Sequence, residues 1–274
     1  MKKILFVYTD NFSTYDIAWA FIEQDYPMDF FDKRFISYSD VSQQDISDEL
    51  SHKLEQDDYW FVLSYNFISE ISFVCEQKKV PYVSQTYDSL TLPLHTRQIQ
   101  SPYNFTHVFD YDEYCIVKQR FHPKHLYYTP LAANISRIGG TIITDDDITR
   151  FSGDISFVGN LYDTDEFEKL EQHHSLPKPI EDHFYYLFDY YTGKWGTDTI
   201  YNCLDDKTCE ILNSVMPNGY KNKYEISDSY YYAFALLGRR IANRDRMILL
   251  ERLSREFDFS YYGSTKKLPF PIQQ

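Results

Sequence analysis

The sequence predicts an α/β chain with a parallel sheet in its first half, and three observations carry that reading. Strand-length apolar runs alternate with helix-length stretches from Ile4 to Thr129. Each run ends in polar residues at its carboxyl side, where an open parallel sheet keeps its ligand crevice. The first glycine is Gly139, so a GxGxxG turn or a Walker A loop after the first strand is excluded, since both need glycine for close backbone approach to phosphate.

Taken in order, Ile4-Leu5-Phe6-Val7-Tyr8 is a β-rich run closing on Thr9-Asp10. Asn11 to Ser13 can cap the next helix, whose Ile17, Ala18, Ala20 and Phe21 share a face. Met28–Phe31 gives a second strand, Ile46–Leu54 a helix and Tyr59–Ser64 a third strand. The helix Ile68–Gln77 leads to the strand Val80–Ser84 and the polar break Thr86-Tyr87-Asp88-Ser89. His107–Phe109 ends on Asp110, Asp112 and Glu113, and after another helical stretch Leu126–Thr129 closes the series. Residues 1–140 therefore read as one Rossmann-like domain.

Around Gly139-Gly140 the texture changes. Thr141–Arg150, with Asp145-Asp146-Asp147, reads as a polar linker, and Asp154–Val158 as a strand ending on Gly159-Asn160. The rest is largely helical, with breaks at Pro177, Pro179, Gly193–Gly196 and Pro217-Asn218-Gly219. The strongest helix sets Tyr230, Phe234, Leu237, Ile241 and Ile248 on one stripe, with Leu249, Leu253 and Phe257 beside it. Phe259–Tyr262 is strand-like, so residues 151–274 read as a helical segment that begins a second domain.

Composition narrows the function classes. At 274 residues the chain is one large or two modest domains, and 43% hydrophobic content supplies a sizeable core. The 26 Tyr and 21 Phe divide between core and surfaces, because a tyrosine has an apolar ring and a hydrogen-bonding tip. A net charge of −14 and a pI near 4.9 repel a phosphate backbone, so nucleic acid is not an expected partner. Cys75, Cys115, Cys203 and Cys209 form no CxxC pair, and neither Cys203…Cys209 nor His173-His174 has metal-ligand spacing; neither a metal nor a cofactor is expected. No run approaches the ~18 apolar residues of a membrane span, and Met1-Lys2-Lys3 leads into a run too short for a signal sequence, so a cytoplasmic protein is expected. Nothing in the composition fixes an oligomeric state.

Several motifs, in order, resemble the CgeB-like family of spore maturation proteins, which are predicted glycosyltransferases. They are Thr86-Tyr87-Asp88-Ser89, Ser101-Pro102-Tyr103-Asn104 with Val108-Phe109-Asp110, and Tyr128-Thr129-Pro130-Leu131-Ala132-Ala133-Asn134. Asp154 to Tyr162 and Asn243-Arg244-Asp245-Arg246 continue the series, across roughly residues 60 to 262; Leu90 departs from it, standing where the family tends to have proline. The resemblance implies a GT-B fold, two Rossmann-like domains, with the acceptor on the first and a nucleotide-sugar on the second. It also implies that the second domain here is truncated, lacking the stretch that grips donor ribose and diphosphate. The expected function is the acceptor-side part of a GT-B enzyme that transfers sugar from a nucleotide-sugar to a glycan or protein acceptor. The alternative is a non-catalytic binding or scaffolding module derived from that fold.

Candidate residues follow. A base for glycosyl transfer must reach the acceptor hydroxyl, and a carboxylate at a strand end can do so. Asp88 is the first candidate and His95 the second; Asp10, Asn11, Asn66, Tyr87 and Asp110 are candidate acceptor-binding groups at the same edge. Helix caps and turns are the competing reading for these aspartates. Gly159 and Asn160 leave room for backbone N–H groups to meet a donor phosphate, and Arg246 joins them through the family resemblance. Arg239, Arg240, Arg244 and Arg246 either form an anion site or pair with neighbouring acids.

Overall fold

A computed structural model describes residues 2–9, 14–33, 43–162, 166–173, 176–194, 200–215, 226–263, 268 and 270. The chain divides into two compact units, Met1–Ile138 with Lys223–Ile226, and Gly139–Asn222 with Ser227–Gln274.

The first unit is built on β1 (Lys3–Tyr8), β2 (Met28–Asp32), β3 (Tyr59–Tyr65), β4 (Tyr82–Gln85), β5 (Asn104–Val108) and β6 (Leu126–Tyr128). They form a six-stranded parallel sheet in the order β2-β1-β3-β4-β5-β6, the Rossmann-like α/β arrangement expected. The helices are α1 (Thr14–Ile22), α2 (Gln43–Gln56), α3 (Ser69–Lys78), α4 (Tyr111–Phe121) and the short α5 (Ile135–Gly139). The strand order reverses at β1, so the switch point lies between the carboxyl ends of β1 and β3.

Strand periodicity divides the core in two. Leu5, Val7 and Val62 face the cluster that takes Leu50 of α2, Ile71 and Val74 of α3 and Val117 of α4. Ile4, Phe6 and Leu63 face the cluster covered by Ile17, Ala18 and Phe21 of α1. Burial on both faces explains why these strands read as continuous apolar runs rather than alternating ones. Ala20, expected on the inner face of α1, is exposed, because Ala18 takes the place against the sheet.

Across the central strands the apolar register is interrupted by hydroxyls. Ser64, Ser84 and Thr106 are aligned in adjacent strands and fully buried, and Ser84 Oγ donates to Thr106 Oγ1 over 3.2 Å. Ser64 Oγ donates to the Asn66 carbonyl (2.8 Å) and lies 2.6 Å from the Tyr82 hydroxyl, which accepts from the Ile68 N–H. These bonds satisfy polar groups that burial would otherwise penalise, just inside the carboxyl edge.

In the second unit, β7 (Ile155–Gly159) and β8 (Phe259–Gly263) form a two-stranded parallel sheet. The remainder is helical: α6 (Asp145–Phe151), α7 (Glu166–His173), α8 (Lys178–Tyr191), α9 (Asp206–Val215), α10 (Asp228–Tyr232), a π-helical segment Ala233–Gly238, and α11 (Arg239–Glu256). Two expectations are corrected here. The linker contains a helix, because Thr144 Oγ1 accepts from the Asp147 N–H while the Asp147 carboxylate accepts from the Thr144 N–H, closing a capping box. The two adjacent stripes expected through the last helix meet different neighbours, and part of each is not buried: Ile241 packs with the helical cluster around Phe184 and Leu212, whereas Met247, Leu250 and Leu253 pack with Leu161 and Phe259. Ile248 and Leu249 are left exposed.

Among the described residues, no helix is long and apolar enough to cross a membrane, and no group of three or more His, Cys, Asp or Glu could hold a metal ion. The four cysteines are free, and burial pushes the Cys203 and Cys209 thiols up to about 11, so both stay protonated at neutral pH.

Candidate functional site

The carboxyl edge of the large sheet gathers four of the expected residues. Asn66, just past β3, has a left-handed backbone (φ 51°), which asparagine tolerates better than most residues. That turn aims its amide at the loop after β4. Its Oδ1 accepts from the Tyr87 N–H (3.1 Å) and the Asp88 N–H (3.4 Å), while its Nδ2 donates to Asp88 Oδ2 at 2.7 Å. Tyr87 sets its ring edge-on to Tyr65, at 5.1 Å between centroids. Asp110 caps α4 by accepting from the Glu113 N–H (2.9 Å), and its other oxygen accepts from Ser89 Oγ (2.8 Å).

These bonds separate the candidates by role. Both Asp110 oxygens serve the protein, so the cap reading describes it. Asn66 holds the loop with its whole amide. Asp88 is exposed and keeps Oδ1 without a hydrogen bond among the described residues, so one carboxylate oxygen faces solvent from a fixed backbone. Asp10 and Asn11 lie outside the described residues.

His95 differs from its expectation. It sits in a 3₁₀ turn at Leu92–His95, is 1% exposed, and places Nε2 3.3 Å from Glu113 Oε1. A ring so enclosed is out of reach of an acceptor hydroxyl at the edge. Glu113, 2% exposed, also accepts from the Thr91 N–H at 2.7 Å, and its Oε2 meets no hydrogen-bond partner among the described residues. Together they pin the segment that follows Asp88. Sequence reading passed over Glu113, although Asp110 and Glu113 have the i, i+3 spacing of a capping box that marks such a residue. His107 stacks on Tyr127 with centroids 5.0 Å apart, and burial holds its pKa below the usual value, so it is neutral at pH 7.

A second polar group lies nearer the switch point. Arg137 of α5 grips Asp16 of α1 bidentately, Nε to Oδ1 at 2.7 Å and Nη2 to Oδ2 at 3.0 Å, and Asn134 Nδ2 donates to Asp16 Oδ1 at 3.0 Å. Asn134 Oδ1 accepts from the Arg137 N–H at 3.0 Å. The Arg137 hydrogen bond is the main reason the Asp16 carboxyl is held below its ordinary value of 3.8. Burial first, and then the Asp16 charge, raises Tyr65 to about 12, which links this pair electrostatically to the end of β3. The consequence for pH has a definite sign. A depressed carboxylate stabilises above its unfolded pKa, and that contribution is lost as pH falls through the lower folded value. The Arg137 Nε–H resonance should therefore keep its shift from pH 7 to 4 and change only below; a change centred at or above 3.8 would contradict the pairing.

In the second unit the residues expected to meet a donor are together at the exit of β7. Arg246 donates from Nη1 to the Asn160 carbonyl and lies over the Tyr162 ring at 4.3 Å, while Asn160 Oδ1 accepts from the Tyr162 N–H at 2.8 Å. Gly159 pairs with Gly263 of β8. The neighbours of Arg246 are also engaged: Asn243 Nδ2 donates to the Leu161 carbonyl (2.6 Å), Arg244 pairs with Asp189 (3.0 Å), and Asp245 accepts from the Gly193 N–H (2.7 Å). Arg240 lies over Phe167, Tyr185 and Phe188, at 4.7 Å from the last.

No protein-family model matches the chain, and neither a curated protein nor a solved structure matches it.

Proposed function

We propose that the chain is a glycosyltransferase-like protein of the CgeB-like, GT-B kind in which residues 1–140 form the acceptor side. The observation that carries this reading is Asp88: an exposed carboxylate at the carboxyl edge of a parallel sheet, held by Asn66 and keeping one oxygen toward solvent. A base there would take the proton of a sugar or side-chain hydroxyl as it attacks the donor's anomeric carbon. The β7–β8 pair belongs, in this reading, to the donor domain. The decisive assay incubates the protein with a panel of nucleotide-sugars and glycan acceptors and follows nucleoside diphosphate release. Transfer that falls at least a hundredfold in Asp88→Asn, in line with loss of a general base, is the expected signature. Transfer unchanged by that substitution would remove Asp88 from the reaction.

A second reading, a non-catalytic binding module, is favoured by the second unit. Arg246 and Asn160 are bonded to one another, and the Asn160 side chain is committed to its own turn. A donor diphosphate would have to displace these contacts. Calorimetric titration with uridine and guanosine diphosphates is expected to give millimolar or weaker affinity, because few groups are left to offset the ordering of a flexible ligand. A dissociation constant of about ten micromolar or better would mean a competent donor site and would discard this second reading.

A further inference from the structure

The first unit has a cavity that the roles assigned so far leave unused. It has a volume of about 240 Å³ and is lined by Tyr15, Asp16 and Trp19 of α1 and by Asn134, Ser136 and Arg137 at α5. That is slightly smaller than the roughly 300 Å³ at which pockets for drug-sized ligands begin, so it suits one ring rather than an extended molecule. Tyr15 and Trp19 are one helical turn apart and share a face, and both rings are largely exposed. Tyr15 is fixed from behind, since its hydroxyl bonds that of Tyr8, at the end of β1, at 2.9 Å. The cavity is thereby tied to the switch point, where doubly wound sheets bind ligands.

Its chemistry selects among ligands. The Arg137 charge is matched by Asp16 in a bidentate pair, so the cavity carries no net formal charge, and the chain as a whole carries −14. An anion gains little from a guanidinium that already faces a carboxylate. A purely apolar ligand would leave Ser136 facing carbon and make no use of the spare donor and acceptor positions on Asp16, Asn134 and Arg137, which already bond one another. A neutral ring with one apolar face and a rim of hydroxyls satisfies both halves: its C–H face lies on the aromatic side chains and its hydroxyls meet the polar groups. Ser136 Oγ, without a partner among the described residues, can donate or accept in that rim.

We infer that the Tyr15–Trp19–Arg137 cavity binds a pyranose ring, through stacking on Trp19 and hydroxyl contacts to the Asp16–Arg137 pair. This deepens the acceptor reading of the same sheet edge and rests on it for the role of the sugar, though not for binding itself. The experiment is saturation-transfer NMR on the 274-residue protein with methyl α-glucoside, methyl β-galactoside and N-acetylglucosamine. Each is added at about 10 mM, because an open single-ring site is expected to be millimolar. At least one glycoside should show saturation transfer that falls fivefold or more, roughly a kilocalorie-scale change in binding, in Trp19→Ala and persists in Trp19→Phe, which keeps a flat ring. Two results would overturn the inference: silence from all three sugars, whether or not inorganic phosphate or uridine binds, or equal signals in wild type and Trp19→Ala. The two readings fail separately. Trp19-dependent glycoside binding without any transfer leaves the pocket standing and sinks the acceptor role, whereas Asp88-dependent transfer without glycoside binding does the reverse.

Discussion

Replacing Glu113 with alanine is expected to lower the stability of the protein by about 2–4 kcal/mol, the range for removing one partner from a buried hydrogen-bonded pair. The side chain is enclosed, and two donors converge on one of its oxygens, the Thr91 N–H and His95 Nε2. Alanine strands both of them in the interior and leaves a hole beneath the loop. Glutamine keeps an acceptor for Thr91 at similar volume, so Glu113→Gln should recover a good part of the loss. Urea unfolding gives the size, and hydrogen exchange gives the place: protection should fall first across residues 88–96. A midpoint for Glu113→Ala within about 0.5 kcal/mol of wild type would show that the buried acid is incidental.

The second large effect belongs to Asn66, where side chain and backbone can be separated. Asn66→Ala removes the bonds to Tyr87 and Asp88 and also places an alanine at φ 51°. The combined cost should be about 2–3 kcal/mol, of which roughly 1 kcal/mol is the left-handed backbone. Asn66→Gly loses the same bonds but accepts the backbone, so its stability should lie between wild type and alanine. Either variant should also lower any activity that depends on Asp88, because the carboxylate loses its tether. Equal stability of the glycine and alanine variants would mean that backbone strain at this position has no weight.

The strand runs were legible because parallel strands buried on both faces leave nothing but apolar residues to read, as at Ile4–Val7 and Phe61–Leu63. The gathering of Asn66, Tyr87, Asp88 and Asp110 followed from that, since each closes a strand of one parallel sheet. What each does there was not legible: nothing local tells that Asp110 spends both oxygens while Asp88 keeps one. The Asp16–Arg137 pair left no trace, because 121 residues separate its members and neither sits in a motif. The helix at 145–151 did leave one, the Thr144–Asp147 spacing, hidden under an acidic run that suggested a linker. The two stripes of the last helix were legible but their separate neighbours were not, because periodicity reports that a face is buried, not which neighbour buries it.

That two-sided helix has a consequence for cooperativity. A lone pair of parallel strands is too small to stand by itself, and β7–β8 relies on Met247, Leu250 and Leu253 for its cover. The same rod, about two to three turns earlier, lends Ile241 to the helical cluster. Neither cluster can melt without loosening the element that the other leans on. The second unit, with two separate oily centres, should therefore behave as a single cooperative block, with α11 as its common spine.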